Sequence, residues 1–248
     1  MARLRSERGC PWDREQTLES LRSYLIEETY ELLDAIDQKD RQAQCEELGD
    51  VLLQIVFQSQ IAAEEGWFDV YDVIHQLAEK LIRRHPHVFG TQKAETSADV
   101  IVTWEKQKKK EKSQNSVLDG VPRSLPALLQ THRLSDRAAR VGFDWKKPEQ
   151  VLEKMHEEFG ELQEALGEKD APEKAAWELG DLLFAATNLA RHLGLCAEDL
   201  LREANRRFSD RFRLVESLAR ERQVDIKSAD LETLESLWQE AKSRLADH

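Results

Sequence analysis

The chain has 248 residues, enough for one large domain or two domains of ordinary size. Its 48 Asp and Glu outnumber its 36 Lys and Arg, and this net charge of −12 disfavours direct nucleic-acid binding, which needs a basic face. Three widely spaced cysteines indicate neither a zinc site nor a disulfide framework, and no apolar run reaches the roughly 18 residues of a membrane span. We therefore expect a cytoplasmic protein that does not contact membranes.

Apolar residues recur at spacings of three and four along most of the chain, and sustained two-residue alternation is absent. This pattern predicts an all-α fold. In chain order, the predicted helices span residues 14–38, 42–65, 69–84, 97–112, 149–166, 171–193, 198–222 and 229–245. Residues 113–145, which contain Gly120, Pro122 and Pro126, are interpreted as a connector.

The two parts of the chain on either side of this connector repeat each other. An EExxE motif at 27–31 and an ELGD motif at 47–50 recur, in the same order, at 157–161 and 178–181. A turn containing Gly and Trp precedes each motif pair, and a basic helix follows it. The sequence therefore predicts a duplicated four-helix unit, residues 1–112 and 146–248. The units either pack as bundles or intertwine across a two-fold axis.

Each repeat carries four carboxylates, which are paired at a spacing of three residues on two successive helices. Residues at that spacing share a helix face, so adjacent antiparallel helices bring both pairs together. Clustered carboxylates repel one another unless a cation lies between them, and Mg²⁺ or Mn²⁺ prefers such oxygen ligands. The candidate ligands are Glu158, Glu161, Glu178 and Asp181 in the second half, and Glu28, Glu31, Glu47 and Asp50 in the first.

Two other interpretations of these acids are weaker. A single pair of helical glutamates is usually a solvated surface, but here the pairs lie within apolar sequence and the whole arrangement occurs twice. A di-iron carboxylate bundle needs two Glu-x-x-His motifs, whereas the one match, Glu153–His156, lies outside the quartets. The pattern therefore favours a site for a hard divalent cation.

These motifs resemble the MazG nucleoside triphosphate pyrophosphohydrolases, a family of the all-α NTP pyrophosphatase superfamily. The resemblance extends over nearly the whole chain and includes GCPWDREQT from Gly9, RRHPHVF at 83–89 and GDLLF at 180–184. It implies Mg²⁺-dependent hydrolysis of NTPs and dNTPs to a monophosphate and pyrophosphate, as house-cleaning of nucleotide pools. It also implies a homodimer of helical bundles. Because the base would meet mainly aromatic and apolar surface, such as Trp238, we expect broad base specificity.

The resemblance further implies that the second quartet binds the metal, that Arg207 and Arg211 contact the triphosphate, and that Trp238 lies beside the nucleotide. The matching basic residues of the first half are Lys80 and Arg84. On their sequence alone, the two arginines fit an ordinary basic helix face equally well, and a single Trp is more often a packing residue.

Glu157, the remaining acid of the second EExxE motif, is either the group that orients or deprotonates the attacking water or an outward-facing acid. The competing hypothesis for the whole protein is a catalytically silent helical scaffold that serves dimerisation or partner binding.

The two halves are not expected to contribute equally. Pro86 should end the basic helix of the first half soon after Arg84, because proline lacks an N–H and clashes with the preceding turn. The corresponding helix continues beyond Arg211 in the second half. We therefore expect the second half to hold the main catalytic site and the first half to be structural or dimer-forming.

Overall fold

A computed structural model describes residues 1–96, 99–100, 103–104, 116–167 and 171–246. Every regular element in these ranges is an α-helix, which confirms the predicted fold class. The chain divides into two compact units, a first unit Met1–Ser113 and a second unit Gln114–His248. No helix among the described residues has the length and apolar character needed to cross a membrane.

The helices of the first unit that the structure describes are α1 (Ala2–Arg5), α2 (Pro11–Glu15), α3 (Leu21–Asp37), α4 (Arg41–Glu64), α5 (Val70–Arg84) and α6 (Pro86–Phe89). Helices α3 and α4 pack against each other as a hairpin. The carboxylate of Asp40 begins α4 by accepting hydrogen bonds from two backbone N–H groups that lack helical partners. Leu21, Phe57 and Ile61 form the buried core of this unit.

Residues 14–38 do not form the single helix that the sequence predicted. Helix α2 ends at Glu15 and α3 begins at Leu21. Between them, the Thr17 N–H donates to Ser20 Oγ at 3.0 Å and the Ser20 N–H donates to Thr17 Oγ1 at 3.2 Å. Such side-chain bonds give the backbone an alternative to helical pairing, and the chain turns at this point.

The other helix limits agree well with the sequence where they are described. Six predicted helices, beginning near residues 42, 69, 149, 171, 198 and 229, match the structure within two residues at each end. The predicted helix 97–112 lies mostly outside the described residues. Helix α5 ends at Arg84, two residues before Pro86, as the proline predicted.

The second unit contains the described helices α7 (Ala127–Ala139), α8 (Pro148–Leu166), α9 (Ala171–His192), α10 (Ala197–Glu221) and α11 (Leu231–Ala246). Helices α8 and α9 form a second hairpin, and α10 packs against both α9 and α11. The α10–α11 contact buries Val215, Leu218 and Leu237. The long α10 therefore has a firm apolar support near its C-terminal end.

Helix α7 lies within the segment that the sequence analysis interpreted as a connector, and no helix was predicted there. Pro126 immediately precedes the first residue of this helix. Its first turn has backbone N–H groups without helical partners, and one of them, on Leu129, donates to the Glu198 carboxylate of α10 at 3.4 Å. Helix α7 packs against α9 and α10. The predicted unit limits, 1–112 and 146–248, stay predictions.

The turn before α8 is fastened to the C-terminal end of α9. The Asp144 carboxylate accepts a hydrogen bond from Arg191 and pairs with His192, whose Nε2 lies 2.9 Å from Asp144 Oδ1. Burial raises the pKa of Asp144, but the hydrogen bonds from Arg191 and His192 outweigh it and hold that pKa below its ordinary value. This ionic contact fixes the beginning of α8 against the C-terminal end of α9.

Candidate metal and nucleotide site

The α8–α9 hairpin brings together acids that lie about twenty residues apart in the chain. Glu158, Glu178 and Asp181 each offer one carboxylate oxygen, and these oxygens all lie within 4.8 Å of one another. Glu161 is not one of these three, but it feels their charge: partial desolvation raises its pKa, and the charges of Glu178 and Glu158 raise it further. We call these four residues the second cluster.

The α3–α4 hairpin forms the equivalent group in the first unit. One carboxylate oxygen each from Glu28, Glu47 and Asp50 lies within 4.8 Å of the other two. Desolvation and the charge of Asp50 raise the pKa of Glu28, while desolvation and the charges of Glu31 and Asp50 raise the pKa of Glu47. We call Glu28, Glu31, Glu47 and Asp50 the first cluster.

Both clusters fit a hard divalent cation. All of their donors are carboxylate oxygens, the ligands that Mg²⁺ and Mn²⁺ prefer. Desolvation raises the pKa of Glu28, Glu47 and Glu161, and the charges of the other acids in each cluster raise it further. In the first cluster, Glu47 Oε2 is buried and has no hydrogen-bond partner in the described structure. A bound cation would offset the repulsion between the acids. It would also give the buried Glu47 oxygen a partner.

Lys154 is a residue of the second unit that the sequence analysis missed. It lies one turn before the EExxE motif on α8, and its Nζ contacts Glu157 Oε1 and Glu158 Oε1, both at 2.7 Å. Hydrogen bonds to Glu157 and Glu158 raise the pKa of Lys154. The spacings of three and four residues are the sequence signal that indicates such pairs.

The structure places Glu157 outside the group of three converging oxygens. Its side chain is exposed, and its carboxylate is held by Lys154. Glu158, the next residue, has a buried side chain that faces the second cluster. The EExxE motif therefore divides its first two acids between the helix surface and the cluster.

The predicted phosphate and base contacts of the second unit lie on α10 and α11. Arg207 is exposed and pairs with Glu203 at 3.4 Å, while Arg211, one turn further along α10, is half-buried. The ring of Trp238 on α11 packs against Phe208, with ring centroids 5.3 Å apart. Helix α10 packs against α9, the helix that carries Glu178 and Asp181.

In the first unit, Lys80 and Arg84 lie on α5, which packs against α4. The guanidinium of Arg84 lies over the ring of Trp104, 5.2 Å from its centroid. The His85 ring meets the same indole edge-on, with centroids 5.0 Å apart. Trp104 is therefore covered by a cation and an imidazole, whereas Trp238 packs against Phe208.

Two family models match the chain, and both describe pyrophosphohydrolases. Residues 16–89 match the MazG nucleotide pyrophosphohydrolase domain, and residues 132–208 match phosphoribosyl-ATP pyrophosphohydrolase. The helical hairpins and their acidic clusters thus define an enzyme of the pyrophosphohydrolase class.

Similar proteins identify the family within that class. The chain is 47% identical over 252 residues to a nucleoside triphosphate pyrophosphohydrolase of Escherichia coli K12, covering 100% of the chain and 96% of that protein. It is 47% identical over 244 residues to a Thermotoga maritima protein named nucleoside triphosphate pyrophosphohydrolase/pyrophosphatase MazG, covering 98% of the chain and 92% of the relative. A Mycobacterium tuberculosis relative is 42% identical over 134 residues, 53% of the chain and 41% of that protein. The chain belongs to the MazG family of nucleotide pyrophosphohydrolases.

We expect Glu47→Gln to raise the thermal stability of the metal-free protein at neutral pH. Folding raises the pKa of Glu47 above 4.5, so the folded state holds more protons than the unfolded state as pH rises from that value. Stability is therefore lost with rising pH, and the substitution removes this loss. Thermal unfolding followed by circular dichroism in EDTA, from neutral pH down to pH 4.5, should show the advantage shrinking as pH falls.

Glu19→Gln is the matched control, because it makes the same charge change on an exposed residue of the same unit. It should leave stability nearly unchanged. A variant Glu47→Gln that unfolds below the wild-type temperature at neutral pH would show that the carboxylate has a structural role instead.

Proposed function

We propose that this enzyme hydrolyses nucleoside triphosphates, both NTPs and dNTPs, to a nucleoside monophosphate and pyrophosphate in a reaction that requires Mg²⁺ or Mn²⁺. The observation that carries the proposal is the convergence of Glu158, Glu178 and Asp181 within 4.8 Å on a rigid helical hairpin. Full-length relatives named nucleoside triphosphate pyrophosphohydrolase support the substrate class and favour an enzyme over a silent scaffold. A role in house-cleaning of nucleotide pools follows from this reaction.

The second cluster would hold the metal through the carboxylates of Glu158, Glu161, Glu178 and Asp181. A bound divalent ion supplies positive charge that offsets the negative charge of the triphosphate and of the departing pyrophosphate. Four acids without that charge would repel the substrate. The first cluster would bind a cation with the same type of ligands.

The chain's own residues would bind and orient the substrate. Arg207 and Arg211 lie one turn apart on α10, and their guanidinium groups can donate several hydrogen bonds to phosphate oxygens. Trp238 and Phe208 offer aromatic surface to the base without base-specific hydrogen bonds, which supports broad base specificity. A role of Glu157 in positioning or deprotonating the attacking water stays a prediction, because its exposed carboxylate pairs with Lys154 and not with the cluster.

The product distribution tests the reaction. Incubation of the pure protein and Mg²⁺ with each common NTP and dNTP should yield the monophosphate and pyrophosphate, and EDTA should abolish turnover. Chromatography identifies the nucleotide, and a pyrophosphate-specific assay separates pyrophosphate from orthophosphate. Orthophosphate as the first product, or full turnover in EDTA, would refute the proposed reaction.

A matched pair of double variants tests which unit is the main catalyst. We expect Glu178→Gln with Asp181→Asn to lower kcat/KM by about 100-fold or more, since loss of metal-site groups commonly costs that much. Glu47→Gln with Asp50→Asn should retain most activity, because α5 ends at Arg84 whereas α10 supports Arg211 on a longer helix. Circular dichroism should show both variants folded. The opposite ranking of the two variants would assign catalysis to the first unit.

We also propose that the enzyme is a homodimer in which the hairpins of two copies pack together. The hairpins expose large apolar side chains in the single chain: Trp177 is 76% exposed, Leu183 53% and Leu52 57%. Apolar surface of this kind, repeated in both units, is typical of an interface. A cytoplasmic location and the absence of direct nucleic-acid binding stay predictions from composition.

Light scattering coupled to size-exclusion chromatography tests the dimer. Wild-type protein should elute with twice the mass of the chain, and Leu183→Glu should shift it toward the monomer because a charge would be buried at the interface. Leu231→Glu, on an exposed leucine at the beginning of α11, is the control and should leave the mass unchanged. A monomeric wild type would contradict this assembly.

A further inference from the structure

A lysine beside the second cluster is one charged residue that the first cluster lacks. In the second cluster, the ammonium of Lys154 lies 2.7 Å from Oε1 of Glu158, whose side chain is only 7% exposed. The repeat places Tyr24 at the equivalent position of the first unit, one turn before Glu28. The ring of Tyr24 meets Trp12 edge-on, with centroids 5.8 Å apart, and packs against the core. The lysine thus has an uncharged aromatic counterpart.

The charges that surround the two clusters follow this difference. The neighbouring charges that act on Glu28 all come from carboxylates, those of Asp50, Glu31, Glu47 and Glu27. The charge of Lys154 partly offsets the carboxylate charges around Glu161. The first cluster is therefore more negative than the second in the absence of a bound cation.

We infer that Lys154 is a built-in counter-cation that competes with the divalent metal for Glu158, so that without nucleotide the first cluster binds the metal more tightly than the second. This inference rests on the proposed metal-dependent function. A divalent ion entering the second cluster must displace the ammonium from a buried carboxylate oxygen or bind beside a positive charge. An ion entering the first cluster meets neither cost, and it also gives a partner to the unmet Oε2 of Glu47.

Lys154 should therefore lower the affinity of the second cluster for a divalent cation by a measurable factor. Replacing it by Met keeps the length of the apolar stem and removes the charge. The affinity of the second cluster should then rise by roughly tenfold, the size expected when one nearby like charge is removed from a partly desolvated site. Lys154→Arg retains the charge and should leave the affinity low.

Mn²⁺ binding to the full-length, metal-free protein without nucleotide, followed by electron paramagnetic resonance and calorimetry, tests the inference directly. Glu178→Gln with Asp181→Asn isolates the first cluster, and Glu47→Gln with Asp50→Asn isolates the second. We expect the isolated first cluster to bind Mn²⁺ more tightly. Adding Lys154→Met to the isolated second cluster should tighten its binding by roughly tenfold.

Lys147→Met is the matched control, because it removes the same charge from an exposed position at the beginning of the same helix. It should leave the second cluster's affinity unchanged. Equal affinities of the two isolated clusters, or no gain from Lys154→Met, would overturn the inference while metal-dependent hydrolysis stands. Absence of Mn²⁺ binding to both clusters would overturn the inference and the proposed metal dependence together.

Discussion

Electrostatic repulsion between carboxylates is the interaction around which both units are organised. Glu28 and Glu47, or Glu158 and Glu178, come from different helices, and desolvation together with their mutual charge raises the pKa of acids in each cluster. The packing of each helical hairpin brings these groups together. The free energy of folding thus offsets the repulsion between the charges. Binding of a cation is favoured because it removes that repulsion.

The rest of each unit serves to make that hairpin rigid. In the second unit, the contact of Asp144 with Arg191 and His192 fixes one end of α8 against α9. In the first unit, Arg5 of α1 pairs with Glu64 at the end of α4, at 2.8 Å, and so holds α1 against the hairpin. These ionic contacts lie away from the clusters, so they constrain the hairpins without neutralising the acids that would bind the metal.

Duplication has preserved the acids but not their surroundings. The second unit carries Lys154 beside its cluster, and its α10 extends far past the arginines, whereas α5 stops at Arg84. Arg84 and His85 cover Trp104, while Trp238 packs against Phe208 and the α10–α11 core. These differences lie in groups that would contact a nucleotide or compete with a metal under the proposed function. They support the proposal that the second unit is the main catalyst.

The sequence by itself determined the helical class, the duplication and the acids that converge, because helix periodicity and the three-residue spacing of the acids are local properties. It also determined the end of α5, since Pro86 acts on its own turn. Tertiary structure alone decided α7, whose Leu129 N–H donates to the Glu198 carboxylate of α10, and the contact between Asp144 and His192. These depend on residues far apart in the chain. The ion pair between Lys154 and Glu158 depends on both. The four-residue spacing allows the pair to form, but only the packing of α8 against α9 buries the Glu158 carboxylate and so strengthens the pair.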